Sequence, residues 1–481
     1  MTTASGDKKT NIPLCWRTKK FWGAFLGIGL CLICSFLPVP EGLSKQGLLC
    51  LSTLLGAVIF MIFQVLPEYW IALALNALWA LLGIVKFDVA FKAFSNPAWW
   101  ILLAALAIGV AVSQTGLLKR IALIVLTVFP ATFRGQVLGM LCSSLVVNPF
   151  IPSTTVKVAV SAPFSRAISD AMGYPAKSPA AEGMFCAMFM GFSQFSLAFL
   201  SANVQAYLLF GFLPASVQAQ LTWLTWFIGM LPWLVIMVAG TYFFIIFAYK
   251  PEKESNITST YVRDELKAMG PMDRNQKITL IVLCCALLFW STGSLHKISA
   301  TLVALIALLV LLLLQVLSTK DFRSNFPWDN IFFLGGVLSI GIVFADLKID
   351  KWMQQIINPY FSGLTGNLFA LFAAVMLGIV TLRFIMVSMN STMIIFGTIL
   401  VPLCMGVNLN PWPIMMAVFC GSNVWLVFYQ NAVYLTGYYA AGGDMVRHSA
   451  TIKMCVVYLL LALAAFMISV PYWDKLGLLR L

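Results

Sequence analysis

Two runs of hydroxyl and amide residues stand inside otherwise apolar stretches. One is NPFIPSTTVKVAV, with Ser153, Thr154 and Thr155 leading to Lys157; the other holds Ser388, Asn390, Ser391 and Thr392, with Arg383 just before it. Hydroxyls at a helix start offer donors and acceptors, the first backbone N–H groups there are unpaired, and the helix dipole turns its positive end outward. Such a tip suits a carboxylate. Capping is the commonest use of Ser and Thr at this position, but capping alone explains neither the break at Pro149 and Pro152 nor its second copy. Two more polar clusters interrupt apolar runs: Ser201, Asn203 and Gln205 in SANVQAY, and Gln430 and Asn431 in FYQNAVY. Amide donors suit carboxylate oxygens, whereas a cation site would take the Asp and Glu that all four clusters lack. The expected substrate-binding set is therefore Ser153, Thr154, Thr155, Lys157, Asn203, Gln205, Asn390, Ser391, Thr392, Gln430 and Asn431.

The two cations sharpen this reading. A lysine at mid-membrane depth costs about 2.5 to 3.5 kcal/mol on insertion scales, so Lys157 needs a partner unless it snorkels to an interface. We expect it to face the cavity, balanced by a dianion. Arg383 is either a second charge-balancing group or a partner within the scaffold. Catalysis has no support: the only histidines are His296 and His448, and H-E-x-x-H, G-x-S-x-G and paired intramembrane aspartates are all missing. No cofactor and no metal is called for, and a passive anion channel is the remaining rival to a carrier.

These tips require elements that hold them inside a bilayer. Of 481 residues, 61% are hydrophobic and 10% charged, against roughly a quarter charged in an average soluble domain. A helical crossing needs about 20 mostly apolar residues, and such stretches run almost end to end. Strand barrels would alternate polar and apolar, whereas TLVALIALLVLLLLQVL is apolar on every face. The net charge of +13 is spread through short loops, which argues against nucleic acid. Cysteines, including Cys31, Cys34, Cys284 and Cys285, lie mostly in apolar stretches and read as buried small residues. The fold class is an all-α polytopic membrane protein of about 11 transmembrane helices plus two re-entrant helical hairpins, arranged as an inverted repeat.

Residues 1–20, with Lys8, Lys9, Arg17, Lys19 and Lys20, read as a cytoplasmic tail. The first repeat spans 21–249, with scaffold helices to about 120, a hairpin over about 121–170 and a broken crossing over about 183–212. A polar linker over 250–277 follows. The second repeat, 278–481, has scaffold helices to about 346, a hairpin over about 362–404 and a broken crossing over about 412–440. Interrupted segments at matching positions of inverted halves are the best sequence pointer to a transporter's binding site. Placing Arg17 to Lys20, Lys119, Arg120, the linker and Arg447 on one side puts the N-terminus in the cytoplasm and the C-terminus outside.

At these residues, and in FSNPAWWILLAALAIG, TGLLKRIAL, DELKAMGPMDRNQK and GYYAAGGDMVRHSATI, the chain resembles the divalent anion/sodium symporter family over nearly its full length. It is most similar to the bacterial citrate/succinate and tartrate/succinate antiporter branch. The resemblance implies a dicarboxylate bound between two tips with Ser-Asn-Thr-type motifs, matched by Ser153, Thr154 and Thr155 and by Asn390, Ser391 and Thr392. The middle Asn of the first motif is absent, and Val204, Gln205, Gln430 and Asn431 replace the family's residues at the breaks. It further implies a homodimer in the cell inner membrane, in contact with lipid, and an elevator-like mechanism. We expect sodium-independent exchange of dicarboxylate or tricarboxylate anions, with sodium-coupled symport as the alternative.

Overall fold

The computed structural model describes residues 19–252, 260–356 and 366–481. Lys8, Lys9 and Arg17 of the expected tail, residues 253–259 of the linker and residues 362–365 of the second hairpin lie outside the described residues. Within the described residues, regular structure is helical apart from one isolated bridge between Leu409 and Arg480. Hydrocarbon offers no partner to backbone N–H and C=O groups, so each segment must satisfy its own.

Five described helices are long and apolar enough to cross a membrane: Lys45–Ile62, Trp223–Ala248, Trp328–Asp346, Met389–Gly406 and His448–Lys475. Other apolar helices are shorter or broken. Glu68–Leu81, Ala300–Leu313 and Leu368–Leu382 are short apolar helices, and Trp99–Gln114 continues into Leu117–Leu126 through a 68° bend. Gly116 makes that bend with φ of 69°, a left-handed conformation that costs glycine little.

The segment expected as the first hairpin, about 121–170, holds more than one helix before its tip. Leu117–Leu126 ends before Pro130, and Thr132 opens a new helix, its Oγ1 accepting from the Gly135 N–H at 3.1 Å. The arms are Phe133–Val147 and Thr154–Ala171; those of the second hairpin are Leu368–Leu382 and Met389–Gly406. Both arms of the first pack on Pro179–Phe192, and both arms of the second pack on Pro411–Ser422. The halves also interlock through their other helices. Glu68–Leu81 packs on Trp328–Asp346, Pro97–Gln114 packs on Ala300–Leu313, and Trp223–Ala248 packs on His448–Lys475.

One interlock is close enough to require glycine. A Cβ on Gly336 would lie 2.8 Å from Ala72 Cβ and 3.0 Å from its carbonyl carbon, while Asn76 Nδ2 donates to Gly336 O at 2.9 Å. Backbone cannot retreat as a side-chain tip can. Gly336→Ala should therefore destabilise the protein by about 1 to 3 kcal/mol through overpacking. Thermal unfolding in detergent measures it, and an unchanged Tm would contradict this packing.

Ion pairs join the first hairpin and the crossing after it to the segment before the last helix. Arg166 reaches Asp170 at 2.9 Å and Asp444 at 2.6 Å, and Arg447 Nε reaches Glu182 Oε1 at 2.7 Å. The hydrogen bond and charge of Arg166 hold the Asp444 carboxyl below the usual carboxylate range.

Candidate substrate site

Each hairpin turns through a short non-helical tip and restarts as a capped helix. In the first, Asn148–Phe150 forms a 3-10 turn, and Ser153 caps the second arm, its Oγ accepting from the Val156 N–H at 3.4 Å. In the second, Ser388 Oγ accepts from the Ser391 N–H at 3.1 Å, and Thr392 Oγ1 donates to Ser388 O at 2.9 Å. Capping thus occupies one serine per tip and leaves other polar atoms over. Thr154 Oγ1 is buried without a hydrogen-bond partner.

Between the tips lies a cavity of about 330 Å³ whose wall includes Ser153, Thr154, Thr155, Asn203, Gln205, Ser388 and Asn390. Its size matches a small ligand, since pockets for larger molecules run to about 1,000 Å³. Both halves contribute, and they touch: Gln205 Nε2 donates to Asn390 Oδ1 at 3.1 Å. The two breaks are built alike. Asn203 caps Val204–Phe212, accepting from the Gln205 N–H at 3.0 Å, and Asn431 caps Ala432–Ala440, accepting from the Val433 and Tyr434 N–H groups at 3.0 Å.

Six expected residues thus share the cavity wall: Ser153, Thr154, Thr155, Asn203, Gln205 and Asn390. Ser391, Thr392, Gln430 and Asn431 stand behind it. Gln430 Oε1 accepts from the Val427 N–H at 2.9 Å, and Asn431 Nδ2 donates to Asn423 O at 3.1 Å.

Lys157 corrects an expectation, because it does not line the cavity. Its side chain is 0% exposed, and Nζ donates to Asn148 Oδ1 and Ala202 O, each at 2.8 Å. The broken helix around Ala202 leaves that carbonyl without a helical donor, so the ammonium finds its acceptors inside the protein. Arg383, also 0% exposed, does the same in the other half: Nη1 donates to Met386 O and Val387 O at 2.8 and 2.6 Å, and Nη2 donates to Gln430 O. Ala202 and Gln430 each stand immediately before a capping asparagine, so the two cations hold equivalent joints. Neither has a carboxylate within ion-pair distance among the described residues. Two buried basic side chains therefore stand behind one polar cavity.

Sequence reasoning missed Glu68, Gln64, Asn330 and Asn423, which complete the polar part of the wall. Glu68 opens an apolar helix directly after Pro67, where an acid ordinarily answers the helix dipole. That commonplace position concealed a carboxylate in the cavity.

Residues 18–479 match the family model described as the sodium:sulfate symporter transmembrane region. The chain belongs to this family. Among its relatives, the L-tartrate/succinate antiporter of Escherichia coli is 25% identical over 428 residues, covering 83% of this chain and 86% of that one. The inner membrane protein YbhI of Escherichia coli is 26% identical, covering 76% and 79% of the two chains, and a membrane protein of Cupriavidus necator is 27% identical, covering 72% and 71%. Among solved structures, Neisseria gonorrhoeae MtrF, described with a class of antimetabolite efflux pumps, aligns with a TM-score of 0.53 at 14% identity, covering 93% and 94%. That likeness concerns the fold alone. As a sodium:sulfate symporter family member, the protein is an integral membrane transporter. The tips and broken helices of this family member bring hydroxyl and amide side chains to one small cavity.

Proposed function

We propose that this transporter exchanges dicarboxylate or tricarboxylate anions across the cell inner membrane by sodium-independent antiport. The observation that carries the proposal is the pair of built-in cations, Lys157 and Arg383, each held by oxygen atoms behind the cavity. Carbonyl and amide oxygens are the ligands a hard cation such as sodium takes. Here an ammonium and a guanidinium already use them. The substrate then meets fixed positive charge and needs no mobile cation to accompany it. A dianion matches the two charges, and donors at both tips offer a place for two carboxylates.

In this reading the hairpins and broken crossings move as an elevator-like unit against the scaffold helices, in a homodimer surrounded by lipid. The N-terminus is cytoplasmic and the C-terminus outside. Sodium-coupled symport is the alternative function. Counterflow in proteoliposomes, screening succinate, malate, tartrate, citrate and 2-oxoglutarate with and without sodium, tests the proposal. Accelerated uptake by preloaded vesicles without sodium is expected, and strict sodium dependence would refute it.

Direct contact is proposed for Ser153, Thr155 and Asn390, whose side chains share the cavity wall. A hydrogen bond to a charged group is worth about 1.5 to 3 kcal/mol, so each single Ala substitution should weaken binding by roughly tenfold or more. Thr392, bonded to Ser388 O behind the wall, should matter less. Binding measured by calorimetry on folded variants checks this, and unchanged affinity in all three would move the site elsewhere.

A further inference from the structure

We propose that Glu68 is an internal stand-in for a substrate carboxylate: it holds the second tip to the scaffold while the site is empty and yields when substrate binds. This deepens the exchange reading and rests on it. Glu68 Oε1 accepts from Ser391 Oγ at 3.1 Å, and Ser391 Oγ lies 3.1 Å from Ser388 Oγ, the cap of the second tip. Glu68 also lines the same cavity as Ser153, Thr155 and Asn390. The carboxylate thus holds one hydroxyl of the second tip, Ser391, which in turn touches the capping Ser388.

A role confined to the helix dipole does not require this contact. The dipole at the start of Glu68–Leu81 is served by an acid in the first turn wherever its side chain points. Glu68 instead reaches a serine 323 residues away on a hairpin of the other half. It has no ion-pair partner among the described residues. An unpaired carboxylate beside an anion site repels the arriving anion, so its presence lowers affinity unless it serves another step.

That step is coupling. Glu68 opens a helix that packs on Lys45–Ile62 and Trp328–Asp346, helices of the scaffold in the exchange reading. Lys157 and Arg383 belong to the hairpins. When the site is empty, the moving unit carries two unmatched basic groups and is tied to the scaffold by the hydrogen bond from Ser391 to Glu68. A dianion takes over the hydroxyls, matches both cations and releases the unit. The loaded unit moves neutral, and the empty unit stays where it is.

Wild type, Glu68→Ala and Glu68→Gln, purified in detergent without organic anions, provide the test. Hydrogen exchange at the backbone amides of residues 388–392 should quicken about tenfold or more in Glu68→Ala, the equivalent of a charged hydrogen bond. Glu68→Gln keeps an acceptor and should fall between. Succinate should bind both variants about tenfold tighter than wild type. Unchanged exchange at the tip in both variants, or succinate binding that is unchanged or weaker, overturns the proposal; a merely structural role predicts the weaker binding. Should wild type fail to counterflow any of the five anions, the exchange reading falls, while tip protection without ligand still decides whether the latch exists.

Discussion

Lys157→Ala should abolish exchange. The substitution removes the Nζ donor from two buried acceptors, Asn148 Oδ1 and Ala202 O, and with it the joint between the first tip and the first broken crossing. Each orphaned buried polar group costs about 1 to 3 kcal/mol, so the tip loses its position as well as its charge. A second readout separates these losses from simple unfolding. The two oxygens left behind 2.8 Å from the former ammonium suit a monovalent cation. Added sodium should restore part of the exchange in Lys157→Ala and change nothing in wild type. Counterflow of succinate, with thermal unfolding alongside to verify folding, measures both. Exchange at the wild-type rate in sodium-free Lys157→Ala vesicles would end the built-in cation argument.

Vesicles without internal anion should take up almost no dicarboxylate, with or without a sodium gradient, and uptake should appear once dicarboxylate is preloaded. The empty unit would have to cross with Lys157 and Arg383 unmatched, and an unpaired buried ion costs several kcal/mol even after relaxation. Each 1.4 kcal/mol slows a step tenfold, so about 4 kcal/mol slows the empty return by about three orders of magnitude. A bound dianion removes most of that cost. Sodium-driven net uptake into unloaded vesicles would show instead that the empty carrier returns freely, which is symport.

Much of the architecture is legible from residue order. Apolar runs force helices in a bilayer, and Pro149, Pro152 and the hydroxyls after them cannot continue a helix through lipid, so the first tip is readable from its own neighbourhood. The second tip is readable as its copy. The caps at Ser153 and Ser388 and the capping asparagines Asn203 and Asn431 are equally local, because a cap bonds groups two or three residues away. Helix limits are less legible: nothing in the run after Gly116 announces that Leu117–Leu126 ends before Pro130 and that a new helix opens at Thr132.

What the sequence by itself determined is the solvent, the helical class, the two tips, the two breaks and the presence of cations with no acid close by in sequence. The tertiary structure decided where those groups point. Lys157 was expected in the cavity, but a side chain's direction depends on which acceptors come within reach, and Ala202 O lies 45 residues away. Arg383 found Gln430 O at a separation of 47 residues, and Glu68 found Ser391 at 323. Hydrogen bonds and desolvation act through space, so groups far apart in the chain share one electrostatic site only after the helices pack. Sequence spacing reports neighbours along a helix; the pairing of a buried charge is a property of the fold.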